Sequence, residues 1–169
     1  MSRTVLHDAF GHHVWATIRV IDACLALPPE QLDTTVPGTY GSIIDTLRHL
    51  VGADASYLWV LSAGDRPEIE EADMGLAALR AAMDESGPGW TAVLDRGLDP
   101  EEIVVRHRDD GTDSHAPRSI RLAQVLHHGT DHRSQVCTAL TSLGVTPPEI
   151  DVWDYAAKDD RIWESPTAG

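Results

Sequence analysis

Two histidines spaced four residues apart, His128 and His132, are the clearest chemical signal in the sequence. If the surrounding run is helical, positions i and i+4 lie on one face a single turn apart, so the two imidazoles can bind one metal ion. A third ligand has to come from elsewhere, and His49 is the best candidate because it lies in a distant segment with a strong helical pattern. The sequence therefore predicts a metal site formed by His49, His128 and His132.

The residues predicted to share a helix face with His49 are small or polar, and those around His128 and His132 form a semi-polar face. They are Asp45, Thr46, Gly52, Ala53 and Ser56 around His49, and Gln124, Val125, Gln135 and Ala139 around the pair. A histidine that only fills a core usually lies among large aliphatic residues, whereas small neighbours leave room for an ion and a ligand. An H-x3-H pair alone also fits a solvated helix surface, and the matching face around His49 favours the metal site.

Three neutral imidazoles suit a divalent transition metal better than calcium or magnesium. Zinc is the first expectation and nickel the alternative. Such a site leaves about two units of positive charge and an open coordination position, where an anion or hydroxide is expected to bind. Asp131 is a candidate to accept a hydrogen bond from a ligand imidazole, although a solvated surface position is the simpler interpretation. Glu30, Asp45 and Asp131 are weak candidates for a general base, so the catalytic residues stay unknown.

The remaining histidines are assigned no metal role: His7, His12, His13, His107, His115 and His127. His127 adjoins His128 but points about 100° away around the helix, and is expected at the surface or at an interface. The group on the first helix is a rival source of ligands, but neighbours such as His12 and His13 cannot easily bind one ion together. Arg133 is expected to form an ion pair or to brace a loop.

Length, charge and cysteine usage restrict the class of protein. The 169 residues are expected to form one domain, residues 1–169. With 13 basic and 27 acidic residues, the net charge of -14 opposes binding to nucleic acid. No signal peptide or apolar run of membrane length is apparent, so a cytoplasmic protein without a membrane partner is expected. Cys24 and Cys137 fall inside predicted helices and are expected to be buried thiols rather than a disulfide.

Four long helices are predicted from apolar periodicity and from the residues that begin and end helices. They span residues 4–27, 42–63, 74–96 and 119–143, with a kink or break in the third at residues 87–89. Residues 103–108 favour a strand, and 109–113 supply a turn, which together predict a small hairpin. The fold class is therefore all-α: a four-helix bundle with a long crossover connection and a small β-hairpin before the last helix.

Two motifs in this arrangement resemble the DinB/YfiT-like superfamily of metal-dependent enzymes. They are residues 41–50, GSIIDTLRHL, and residues 128–135, HGTDHRSQ. Members of the superfamily are four-helix bundles with one ligand histidine on the second helix and an H-x3-H pair on the last, which typically continues as His-Arg-Gly-Gln. Here Ser134 stands where glycine is usual, a change that could alter how the fourth helix packs. Residues 144–148, with Asp151 and Tyr155, resemble the closing segment, so the similarity covers roughly residues 12–155.

The resemblance implies ligand roles for His49, His128 and His132, and a homodimer. In such a dimer Trp153, Tyr155 and Trp163 would pack on a second subunit if they do not pack on the bundle itself. Some members are S-transferases that use low-molecular-weight thiols, so a metal-dependent thiol S-transferase or hydrolase acting on a small-molecule substrate is expected. The alternative is a non-catalytic, stress-related bundle that binds a metal or another ligand. A third hypothesis is an interaction bundle whose histidines bind nothing.

Overall fold

The computed structural model describes residues 3–97, 99–108 and 110–165, and most of this part of the chain is helical. Its elements, in chain order, are α1 (Val5–Leu25), α2 (Ile43–Leu61), α3 (Leu76–Leu94), β1 (Ile103–His107), β2 (Asp113–Pro117), α4 (Arg118–Ser142) and the short α5 (Val152–Ala157). The predicted all-α bundle with a small hairpin before its last long helix is confirmed.

The four long helices surround the core in the order α1, α3, α2, α4. Extensive contacts join α1 to α3 and α4, and α2 to the same two helices, so α1 and α2 lie diagonally opposite each other. The connection at residues 26–42 therefore crosses from one corner of the bundle to the other, and the connection that carries the hairpin crosses the second diagonal. This order makes α2 and α4 neighbours, and these are the helices that carry the predicted metal ligands.

The ends of the helices follow from local residue chemistry. The Ser42 hydroxyl accepts a hydrogen bond from the backbone N–H of Asp45 at 3.2 Å, which caps α2 as its Ser-x-x-Asp sequence predicts. Gly144 follows α4 with a φ of 75°, a left-handed conformation that glycine adopts without steric strain. The boundaries of α2 and α4 are therefore predictable to within about two residues.

A kink or a break is predicted in the third helix, and the break is wrong because α3 runs continuously through Pro88, while the kink stays a prediction. Trp90 and Val93, beyond the proline, are each only 1% exposed, so the second half of the helix is held by the core. Gly89 permits this close packing, since a Cβ there would lie 2.7 Å from Cδ2 of Leu58. Burial outweighs the hydrogen bond that proline removes from the helix.

The predicted hairpin is present, with β1 and β2 antiparallel and Ile103 opposite Pro117. Asp109, in the predicted turn, lies outside the described residues. The hairpin is attached to α4 by Arg121, whose Nη2 donates to the carbonyl oxygens of Ser114 at 2.7 Å and Val104 at 3.0 Å.

The C-terminal aromatic residues have different environments. Tyr155 is 6% exposed and packs against α1, whereas Trp153 and Trp163 are 70% and 83% exposed on this chain. The prediction that the two tryptophans pack on the bundle is therefore wrong, and their packing on a second subunit stays a prediction.

Both thiols are free, with Cys24 buried and Cys137 half-buried. In the described ranges, no helix has the length and apolar content needed to cross a membrane.

Candidate metal centre

His49 on α2 and the pair His128 and His132 on α4 come together where the two helices are neighbours. One nitrogen from each ring lies within 4.8 Å of the other two. The Nε2 atoms of His49 and His128 are 3.0 Å apart, and the rings of His128 and His132 have centroids 4.4 Å apart. The convergence expected from the sequence is present in the structure, and the cluster could hold a metal ion.

The orientation of His132 is fixed by Gln135, one turn further along α4. The Gln135 side chain accepts from the backbone N–H of Tyr40 at 2.9 Å through Oε1, and donates to Asp131 at 3.1 Å through Nε2. These two bonds define the amide orientation, so the contact of 3.0 Å between Oε1 and Nδ1 of His132 requires that Nδ1 donates. In the neutral imidazole with this tautomer, Nε2 of His132 is the nitrogen available to a metal ion.

Asp131 is a candidate partner of a ligand imidazole, with a solvated surface position as the simpler interpretation, and the structure places Gln135 between Asp131 and His132. The exposed Asp131 carboxylate accepts from Gln135, which in turn accepts from His132. The sequence grouped Gln135 with the ligands on one helix face, but helical geometry alone does not show which polar neighbour the ring contacts.

Two of the candidate ligands are held in the neutral form that metal ions bind. Burial, and after it the proximity of His132 and His49, lowers the pKa of His128 to about 4. Burial and then the proximity of His132 also lower the pKa of His49, against an opposing effect of the Glu71 carboxylate. Protons therefore compete weakly for these nitrogens near neutral pH, and the donor set fits a divalent transition metal.

Tyr40 covers the cluster from the connection between α1 and α2. Its ring stacks on His49 with centroids 4.1 Å apart and an interplanar angle of 8°, and meets His132 edge-on at 5.4 Å. The backbone N–H bond to Gln135 holds Tyr40 in this place. Tyr40 is not among the site residues predicted from the sequence, because the path of a long connection is set by tertiary contacts.

Two clefts border the cluster, and both are lined by His49 and Glu71. One has a volume of about 420 Å³, and the other of about 620 Å³. The first is lined by His49, Gly52, Ala53, Ser56, Tyr57, Glu68, Ile69, Glu70, Glu71, Arg106 and His128. The small residues predicted on this face of α2 therefore do leave open space beside the histidines.

A buried polar network lies directly behind the cluster. The Asp54 carboxylate on α2 accepts a hydrogen bond from Nε1 of Trp90 at 3.1 Å and contacts Nε2 of His13 at 2.9 Å. Arg133 on α4 donates from Nη1 to Nδ1 of the same His13 ring at 2.9 Å. Because Arg133 can only donate, Nε2 of His13 carries the hydrogen that Asp54 accepts. All four side chains are 3% exposed or less.

In this network, His13 and Arg133 have roles that differ from those expected from the sequence. From the sequence, His13 is a rival metal ligand, and Arg133 is expected to form an ion pair or to brace a loop. Instead they join α1 to α4 inside the core, and Asp54 and Trp90 extend the network to α2 and α3. Burial lowers the pKa of Arg133 to about 10, which still leaves the guanidinium protonated at neutral pH.

The other candidates lie away from the described cluster. His7 contacts Asp95 at 3.1 Å, His12 contacts the Ile150 carbonyl at 2.8 Å, and His107 contacts Asp113 at 2.7 Å. His115 and His127 are exposed. Among the suggested bases, Asp45 accepts from the Ser42 hydroxyl at 2.6 Å and Glu30 is exposed in the short turn Pro29–Asp33.

Comparison with known proteins identifies the family. No curated protein matches the chain. The sequence model of the DinB family matches residues 1–164, which is nearly the whole chain. The match includes both histidine motifs and all the helices of the bundle. Family membership and the three-histidine cluster are together compatible with a metal-binding protein, and the chain belongs to the DinB family.

Proposed function

We propose that this protein is a metal-dependent enzyme in which His49, His128 and His132 hold a divalent transition metal ion. Zinc is the first expectation, and nickel is the alternative. The observation that carries the proposal is the convergence of three imidazole nitrogens within 4.8 Å, supplied by two neighbouring helices. These nitrogens belong to rings whose orientation or protonation state already suits a metal ion.

An enzyme is favoured over a purely structural site by the surroundings of the cluster. In the described part of the chain, the group that could hold an ion consists of the three histidines, without a fourth protein ligand. Structural zinc sites are usually closed by four protein ligands, whereas catalytic sites keep one position open. The cleft of about 420 Å³ that includes His49 and His128 gives a small molecule access to that position.

The chemistry proposed is thiol transfer or hydrolysis on a small-molecule substrate. When bound, the metal ion supplies a Lewis acid, which increases the acidity of a water molecule or thiol held beside it. The protein's own residues orient the site: Gln135 holds the His132 ring, Tyr40 covers His49, and the network around Asp54 fixes the helix behind it. A low-molecular-weight thiol is the co-substrate proposed for the transferase reaction.

A screen of metal-loaded protein tests this proposal. The protein, purified without a histidine tag, is loaded with zinc or nickel and assayed for transfer of small thiols to electrophiles and for ester hydrolysis. We expect turnover that disappears in a chelated sample and in His132→Ala, and that remains in His127→Ala. Stoichiometric metal binding without turnover across the screen would instead support the alternative, a non-catalytic metal-binding bundle.

A further inference from the structure

Glu71 is a carboxylate held beside the histidine cluster by a glycine on α2. It begins the short turn Glu71–Asp73 between α2 and α3, and its side chain lies over Gly52, three residues after His49. A Cβ at position 52 would be 2.4 Å from Cδ and 2.7 Å from Oε1 of Glu71. Any larger residue at position 52 would displace this carboxylate, so Gly52 is what allows it to approach the helix.

The carboxylate borders both openings to the cluster. It lines the cleft that contains His49 and His128, and also the cleft that contains His49 and Tyr40. Its negative charge acts on His49, where it opposes the lowering of the imidazole pKa caused by burial and by His132. Among the described residues, no arginine or lysine forms an ion pair with Glu71, although Arg106 lines the first cleft and Arg48 the second.

Glu71 is close to the cluster without belonging to it. The group of atoms within 4.8 Å of one another contains the three histidines and not this carboxylate. Its position therefore suits contact with whatever ligand binds between the clefts, rather than coordination of the ion itself. Carboxylates accept strong hydrogen bonds from O–H, S–H and N–H groups and repel other anions.

We propose that Glu71 determines which ligands bind at the three-histidine site: it accepts a hydrogen bond from uncharged ligands that carry an O–H, S–H or N–H group, and it keeps small anions out. This inference rests on the proposed function. The role proposed for Glu71 revises the expectation that an anion is the preferred ligand at the open coordination position of the metal, because the net charge at the site includes the Glu71 carboxylate. The substrate class is accordingly a neutral or cationic hydrogen-bond donor, such as a thiol in its protonated form.

Ligand titrations of the cobalt(II)-loaded protein test this selectivity without knowledge of the substrate. Azide is the anionic probe and imidazole the neutral N–H probe, and binding is measured from the visible absorption of cobalt. In Glu71→Gln, we expect azide to bind about tenfold more tightly because one negative charge is removed, with imidazole affinity within about twofold of the wild type. Cobalt content should equal that of the wild type.

Two further variants separate a local effect from a general one. Glu70→Gln removes an exposed charge from the same cleft and should change azide affinity by less than about threefold. Gly52→Ala keeps the charge but displaces the carboxylate, so it should tighten azide binding in the same direction as Glu71→Gln. Gly75→Ala is the control for Gly52→Ala, because a Cβ at position 75 meets no atom within 4 Å.

Each remaining outcome counts against a stated part of the account. Unchanged azide affinity in a fully loaded Glu71→Gln protein, or an equal gain in Glu70→Gln, would overturn the inference and leave the proposed function standing. Loss of cobalt from folded Glu71→Gln would also overturn it, since Glu71 would then be a ligand. A wild-type protein that binds no cobalt would overturn the proposed function, and the inference with it.

Discussion

At the scale of single residues, the candidate metal centre depends on how each imidazole is oriented. His132 donates from Nδ1 to Gln135, which leaves Nε2 as the nitrogen that can bind a metal ion in the neutral imidazole. Hydrogen bonds of this kind select the tautomer of a ligand histidine and restrict rotation of its ring. Gln135 is in turn held by Tyr40 and Asp131, so the ligand is attached to both its own helix and the crossing connection.

Replacing Gln135 by alanine should therefore weaken metal binding without removing a ligand. We expect the Kd for zinc to rise about 10- to 100-fold, the range seen when such supporting residues are lost. Competition against a chromophoric chelator measures this constant. Gln124→Ala, an exposed position on the same helix, is the matched control and should leave the Kd unchanged. Equal zinc affinity in the wild type and Gln135→Ala would show that His132 needs no such partner.

The three histidines can be predicted from the sequence, but the loop residues that surround them cannot. The pairing of His128 and His132 follows from helical spacing, because two residues a turn apart on a helix share a face. His49 is predicted from its place in a distant helical segment with small or polar neighbours. Tyr40 and Glu71 lie in connections, and the direction of a connection depends on contacts between elements distant in sequence. In the sequence, Glu71 is one of several acidic residues in the connection between α2 and α3, and its approach to Gly52 distinguishes it from the others.

At the scale of secondary-structure elements, the position of α4 against α1 depends on Gly129. A Cβ at this position would be 2.3 Å from Cε1 of His13 and 2.9 Å from Nη1 of Arg133. The absence of a side chain lets the buried network form directly beside His128 and His132. The elements that carry the ligands are thus fixed by polar contacts in the core as well as by apolar packing.

Gly129→Ala should destabilise the fold, although alanine is the better helix former. The added methyl group must displace His13 or Arg133 within a packed core, and such overpacking typically destabilises by about 1–3 kcal/mol. Urea denaturation followed by circular dichroism measures the free energy of unfolding. Ser134→Ala, on the exposed face of the same helix, should change it by less than about 0.5 kcal/mol. A Gly129→Ala protein as stable as the wild type would contradict the described packing.

The same exposed position explains why one departure from the family motif is tolerated. Ser134, where glycine is usual, faces away from the core of this chain. Its predicted effect on packing within the bundle is therefore absent. The interruption predicted at Pro88 failed for a related reason: burial of Trp90 and Val93 decides the course of α3, and burial is a property of the assembled bundle.

At the scale of the whole molecule, the two ends of the described chain contact the bundle. Tyr155 on α5 packs over Gly11, where a Cβ would lie 2.2 Å from its hydroxyl oxygen, and it accepts a hydrogen bond from Arg3 at 2.6 Å. Arg161 donates to the Asp8 carboxylate, and Arg3 does so as well. Both termini of the described chain therefore meet at α1.

Removal of Tyr155 should loosen this end of the protein. Tyr155→Ala deletes an aromatic ring that is 6% exposed, so we expect a loss of about 2–4 kcal/mol in the free energy of unfolding. Trp153→Ala removes a larger ring that is 70% exposed and should change stability by less than about 0.5 kcal/mol. Equal losses in the two variants would mean that α5 does not pack as described, or that Trp153 is covered by a second subunit.

The ion pairs of Asp8 should make a small part of the stability depend on pH. The neighbouring Arg161, followed by Arg3, holds the pKa of Asp8 at about 2 in the folded protein, against 3.8 for the free side chain. Because the folded pKa is the lower one, the stabilisation is present above pH 4 and is lost as pH falls toward 2. Asp8→Asn should be less stable than the wild type at pH 6, and the difference should shrink below pH 4. A difference that grows on acidification would contradict these pairs.

Elemental analysis of the purified protein tests the metal centre most directly. With no histidine tag present, the wild type and His127→Ala should each retain about one divalent transition metal ion per chain after dialysis. His49→Ala, His128→Ala and His132→Ala should lose nearly all of it while keeping the helical circular dichroism of the wild type. Full metal retention in these three folded variants, or a wild-type protein that binds no divalent metal, would contradict the assignment.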